Sequence, residues 1–180
     1  MTLNSLSKKE LEILQYVDSL EGSIEQLGKQ LSDRKIFNQY RDIHKSYSTL
    51  FHQQTDENNK LETLKRLIFL NWYSLVEPSC YTGIEELDVQ VIFESYAILN
   101  DYIKQNKLDT EFKWMLSYYS RWDFTILNFS RNKLDSLTNF VENVNTTVLH
   151  TPKNKLPKGS MDNRGQMGIY WISCSVESNT

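Results

Sequence analysis

Residues 61–76 read LETLKRLIFLNWYSLV, and no other stretch constrains the architecture as tightly. Leu61, Leu64, Ile68 and Leu75 recur at helical steps, and within 67–76 the only polar residues are Asn71 and Ser74. A helix that is apolar nearly all round has no face to offer water, so it belongs in the middle of a bundle. Pro78 sets its end, because the residue before a proline is pushed out of the α region and proline has no amide to donate.

The same reading extends downstream. Thr82-Gly83-Ile84-Glu85 has the form of a capping box, with Thr82 as N-cap and Glu85 at the third helical position; Glu86 adds charge suited to a helix N-terminus. Ile84, Leu87, Val91, Ile98 and Tyr102 carry the apolar stripe onward, so 77–81 becomes a short connection of the length bundles use. After a break at 106–109, with Asp109 as N-cap, Phe112, Met115, Leu116, Tyr119, Ile126 and Phe129 define a fifth helix. Leu134, Leu137, Val141, Val144 and Val148 define a sixth.

Upstream, Thr55 to Asn59 is a polar loop, and Ile36, Tyr40, Ile43, Tyr47 and Leu50 mark a long amphipathic helix over 33–54. Ile24, Leu27 and Leu31 mark a short piece after the Glu21-Gly22-Ser23 break. Ser7-Lys8-Lys9-Glu10 reads as a capping box opening a helix over 8–20. The prediction is an all-α fold: a single bundle of five or six mostly antiparallel helices within residues 1–150.

Residues 151–180 change character. TPKNKLPKGSMDNRGQ holds two prolines and two glycines with excess positive charge and reads as a linker, within which Gly159-Ser160-Met161 resembles a cloning junction. GIYWISCSV after it is β-like, with Tyr170, Ile172, Cys174 and Val176 on one face. A lone strand has no partner in a helical bundle, so this region is expected to be a flexible, strand-like or disordered tail.

Composition narrows the function. A chain of 180 residues is the size of one domain and can bury a core without staples. A net charge of -3 supplies no excess of cations for a phosphate backbone, which argues against nucleic acid. Cys80 and Cys174 are far apart and unpatterned, as in a reduced compartment. The N-terminus lacks an apolar signal core, and the longest apolar run is about half of a membrane span. The expectation is a soluble, cytoplasmic protein. With a single alanine, Ala97, against 10 Tyr, 8 Phe and 4 Trp, its helices must pack through large side chains.

Two constellations stand out. Trp114, Tyr118 and Trp122 lie four apart on one helix face, with Arg121 and Asp123 beside them; a helix packing near Trp72, Tyr73, Glu77 and Tyr81 would make an aromatic-walled pocket or an interface hot spot. The bland reading of the same rings is core filler with polar tips at the surface. From Glu85 to Asp101 the chain carries Glu85, Glu86, Asp88, Glu94 and Asp101 with no lysine or arginine, a face that would steer a basic partner or simply be solvated.

Metal and nucleophile readings are weaker. His44 and His52 are two helical turns apart, with no third ligand in pattern, and His44 fits a hydrogen-bonded helix residue. Cys80 precedes a predicted helix start but has no histidine nearby in sequence to act as base. No catalytic group, cofactor or metal is assigned. The leading expectation is a protein-interaction module acting by stoichiometric binding, of the kind that bacterial immunity or antitoxin-like inhibitors exemplify. The alternative is a small-ligand-binding protein or enzyme using the aromatic pocket.

Overall fold

The computed structural model describes residues 1–146 and 159–174; readings that fall on 147–158 and 175–180, including Val148, Val176 and most of the proline-rich linker, lie outside the described residues. Ten α-helices are described: α1 (Leu3–Asp18), α2 (Ile24–Asp33), α3 (Ile36–Gln53), α4 (Glu57–Val76), α5 (Ser79–Thr82), α6 (Val89–Lys104), α7 (Thr110–Tyr119), α8 (Phe124–Ser130), α9 (Asp135–Asn143) and α10 (Gly165–Cys174). A 3-10 turn at Ser120–Trp122 joins α7 to α8, and the described residues contain no strand. The all-α expectation holds, and the count of five or six helices does not.

The extra helices have local causes. The predicted fifth helix breaks where the 3-10 turn redirects the chain between Tyr119 and Phe124. The short α5 occupies what was read as a plain connection, and Gly83 stops it in the left-handed region at φ 71°, where an added Cβ would press on Ile36 and Val17. The Thr82–Glu85 capping box does not form. Thr82 Oγ1 accepts instead from the Ile84 N–H at 3.1 Å, and a second left-handed residue, Glu86 at φ 47°, keeps the chain non-helical until Asp88 caps α6. Likewise α1 starts before Ser7, on a reciprocal Thr2–Ser5 box. Ser7 and Glu10 are inside the core and unavailable for surface capping.

The central helix is where its sequence put it. Ten successive residues of α4, from Thr63 to Trp72, are buried, and α4 packs against α3, α6, α8 and α10. Asp109 caps α7 by accepting from the Phe112 N–H at 2.7 Å, as its position implied.

The largest correction concerns the C-terminus, since residues 159–174 form neither a flexible tail nor a strand. Helical spacing turns Met167, Gly168 and Trp171 inward and leaves Ile169 and Ile172 exposed, so the period-two alternation that looked β-like had no bearing on burial. α10 packs on α1 and α4, and Met161, Met167 and Trp171 belong to the same hydrophobic core as the bundle. The core therefore continues past residue 150. Two of the chain's few glycines allow the close fit. A Cβ on Gly165 would strike the Glu10 carboxylate, and one on Gly168 would strike the Met161 carbonyl.

Candidate functional site

The aromatic constellation assembles around Trp72, which is fully buried. Tyr119 stacks on its indole with ring centroids 4.7 Å apart, while Trp122, Tyr170 and Tyr118 meet it edge-on at 5.4, 5.4 and 5.7 Å. Tyr73 lies beside it on α4, and Trp114 joins through Trp171 at 4.4 Å. The Arg121 guanidinium lies over Tyr118 and Trp122 at 5.9 and 5.7 Å, a cation–π arrangement on half-buried rings.

Trp72, Tyr73, Trp114, Tyr118, Arg121 and Trp122 thus lie in one neighbourhood, with Trp122 on the 3-10 turn and not on the helix that carries Trp114 and Tyr118. Glu77, Tyr81 and Asp123 do not join the rings. Glu77 stays exposed at the end of α4, where its charge, after burial itself, helps push the Tyr73 phenol up to about 12. Tyr81 and Asp123 also point to solvent. Sequence reasoning missed Phe69, Tyr119, Tyr170 and Trp171. The last two were hidden by reading their helix as a strand. Their rings occupy the space between α4 and α7, so the constellation is a filled cluster. Cavities of about 440 and 450 Å³ lie elsewhere, the first between α1 and α3 beside Tyr16 and Arg34, the second beside Lys35, Arg41, Ser79 and Glu85.

The acidic face is narrower than its sequence. α3 brings Lys45 to within 2.9 Å of Asp88, holding that carboxyl below its usual range, and Arg41 to within 3.6 Å of Glu86. Asp88 is further committed as the α6 cap, Glu85 accepts from the Ser79 hydroxyl at 3.3 Å, and Glu94 accepts from the Gln90 amide at 2.9 Å. Glu86 remains largely in water. On either side of this acidic loop, Tyr81 and Val89 are 54% and 67% exposed.

A third assembly had no signal in local sequence, because its members are up to 102 residues apart. Arg164, 7% exposed, forks onto Glu62 and Glu111, with its Nη1 2.8 Å from Glu111 Oε1. Lys65 bonds Glu111 and Asp109, and Arg66 bonds Glu62 at 2.8 Å and Ser7 Oγ. Three cations meet three carboxylates, which is the condition for tolerating charge at this depth. Burial opposes ionisation of Glu111, but the bonds from Arg164 and Lys65 outweigh it and hold its carboxyl low.

Two buried groups titrate in opposite senses. Glu10 accepts from the Tyr47 hydroxyl and, at 2.9 Å, from the Gln166 N–H, yet burial dominates and lifts its carboxyl to about 7. His44 Nε2 bonds Asn71 Oδ1 at 2.8 Å, and the Asn71 amide nitrogen donates to Ser95 Oγ at 2.7 Å. The ring nitrogen therefore carries the proton toward Asn71 and leaves Nδ1 bare, and burial lowers the imidazole to about 4.

The signs follow from linkage. The His44 contribution is intact above the unfolded value of 6.5 and fades as pH falls toward 4. The Glu10 contribution is intact below 4.5 and fades as pH rises through 7. Their slopes oppose each other between pH 4.5 and 6.5. Chemical denaturation of the wild type should therefore be nearly level across that window. Glu10→Gln should make stability climb with pH and His44→Gln should make it decline, each by about 3 kcal/mol over the full range at about 1.4 kcal/mol per tenfold change in proton activity.

No family model, curated protein or solved structure matches the chain. Among the described residues, no helix is long and apolar enough to cross a membrane, and no group of three or more His, Cys, Asp or Glu side chains is placed to hold a metal ion.

Proposed function

We propose that the protein is a stoichiometric binding module for another protein, and that its contact surface is the corner running from α5 into α6. The carrying observation is the exposure of Tyr81 and Val89 on either side of Glu85 and Glu86. An apolar pair with an aromatic anchor, rimmed by acidic residues, matches the composition of interface hot spots. A partner with a basic surface fits, since Glu85 and Glu94 have only neutral hydrogen-bond partners among the described residues, Glu86 meets Arg41 only loosely at 3.6 Å, and the net charge of -3 adds attraction at long range. A cytosolic inhibitor of the immunity or antitoxin kind is the setting such a module suits. The alternative, a small-ligand pocket or active site among Trp72, Tyr73, Trp114, Tyr118 and Trp122, draws no support from rings that fill the space between them.

The test is affinity capture from native cytosol beside a Tyr81→Ala, Glu86→Lys double variant. Asp88 is left intact because it caps α6, a role worth about 1 kcal/mol. One stoichiometric protein should be recovered by the wild type and lost by the variant. Its association rate should fall by about tenfold or more as salt rises from low to physiological ionic strength. Equal capture by the variant, or an association rate indifferent to salt, would contradict the assignment.

A further inference from the structure

The segment 159–174 is tied to the bundle by polar contacts as well as by packing. Arg164 sits in the Glu62–Glu111 fork, the Asn163 carbonyl accepts from Ser7 Oγ at 2.8 Å and from Arg66 at 3.3 Å, and the Gln166 N–H near the start of α10 donates to Glu10 at 2.9 Å. Glu10 is the unusual member. Its carboxylate is sealed in the core beneath a segment 156 residues away in the chain, with the Gly165 Cα pressed against it. The groups that face it are Tyr47 and Tyr40 from α3, Arg66 from α4 and the Gln166 amide from α10. Arg66 is the one cation among these, and it is already engaged by Glu62 and Ser7. The Gln166 side chain then locks the docked position, accepting from the Tyr40 hydroxyl and donating to the Thr82 carbonyl at 3.4 Å.

We propose that residues 159–174 form a proton-controlled latch, docked on the bundle when Glu10 carries its proton and loosened when Glu10 gives it up. A protonated Glu10 still accepts from the Gln166 N–H through its carbonyl oxygen and satisfies its own O–H on the Tyr47 oxygen, so the docked geometry keeps both contacts without a buried net charge. An ionised Glu10 gains by reaching water, and lifting the segment is the route that uncovers it. The movement also uncovers the wall of Phe69, Trp72, Tyr118 and Tyr119, which Tyr170 and Trp171 otherwise cover. Loosening here is a sub-global opening, distinct from unfolding of the central helix.

Amide hydrogen exchange on the full chain tests this, with each rate divided by the intrinsic rate at the same pH. The opening constant for amides of 166–174 should rise on the order of a hundredfold from pH 5 to pH 8, the linkage of one carboxyl that is raised when docked and ordinary when released. Amides of α4 should not share that rise, and Glu10→Gln should abolish it. A flat wild-type profile, an equal rise in α4, or an unchanged rise in Glu10→Gln would overturn the latch. Should Glu10→Gln fail to fold, a carbon-13 titration of the wild-type Glu10 carboxyl decides: a midpoint near neutrality supports the latch, and one in the ordinary glutamate range overturns it.

Discussion

Trp72→Ala should lower the free energy of unfolding by about 3–5 kcal/mol, the range for deleting a large aromatic from a core that cannot close over the gap. The gap would stay open because the rings around it come from separate elements. Phe69 and Tyr73 are fixed by α4, Tyr118 and Tyr119 by α7, Trp122 by the 3-10 turn and Tyr170 by α10. Relaxing one of them toward the cavity pulls a helix off another neighbour. The indole N–H has no acceptor among the described residues, so the loss is one of packing. Trp72→Phe should accordingly recover more than half of the stability. Trp114→Ala, at a partly exposed ring, should cost less than Trp72→Ala. Urea denaturation monitored by far-UV circular dichroism, which does not depend on the deleted fluorophore, measures all three.

Arg164→Ala is the second large effect, again about 3–5 kcal/mol, and its origin is electrostatic. Removing the guanidinium leaves Glu62 with Arg66 and Glu111 with Lys65, so three carboxylates, half-buried or partly exposed, share two cations. Arg164→Lys should recover only part of the loss, because a single ammonium cannot reproduce the paired bonds that the planar group makes to both oxygens of Glu62 and of Glu111. Glu111→Gln in the Arg164→Ala background should restore stability relative to Arg164→Ala alone, since it removes the stranded charge. A double-mutant cycle in which the two substitutions simply add would show that Arg164 and Glu111 do not interact in the folded protein.

The parts legible in the sequence were those determined by neighbours along the chain. The central place of α4 followed from its largely apolar run, although burial covers 63–72 and leaves Leu75 exposed, and the start of α7 followed from Asp109; the meeting of Trp72 with Tyr118 and Trp122 depended on which helices pack together, which spacing along the chain does not fix. Readings failed where tertiary packing overrode a local pattern. Ser7 to Glu10 looks like a surface cap but is drawn inside by Arg66, Tyr47 and the C-terminal segment. Thr82 to Glu85 looks like another cap, but Gly83 takes the left-handed turn that ends α5.

The C-terminal segment misled most. In a stretch where nearly every residue is apolar or small, the alternation in GIYWISC cannot distinguish a strand from a helix. What settles its form is the company kept by Arg164, Gln166 and the two glycines, all of it distant in sequence. The acidic face shows the same limit. Residues 85–101 carry no cation of their own, yet Arg41 and Lys45 stand opposite them on α3.

The placement of residues 159–174 in the core underlies the aromatic cluster, the ion cradle and the latch together. Nuclear Overhauser contacts in the full chain near pH 5 test it most directly. Cross-peaks from the Tyr170 ring to Trp72 and from the Gln166 amide to the Tyr47 ring, with helical carbon shifts through 165–174, are the predicted result. Random-coil or extended shifts in that segment, with no contact to Trp72 or Tyr47, would contradict the account.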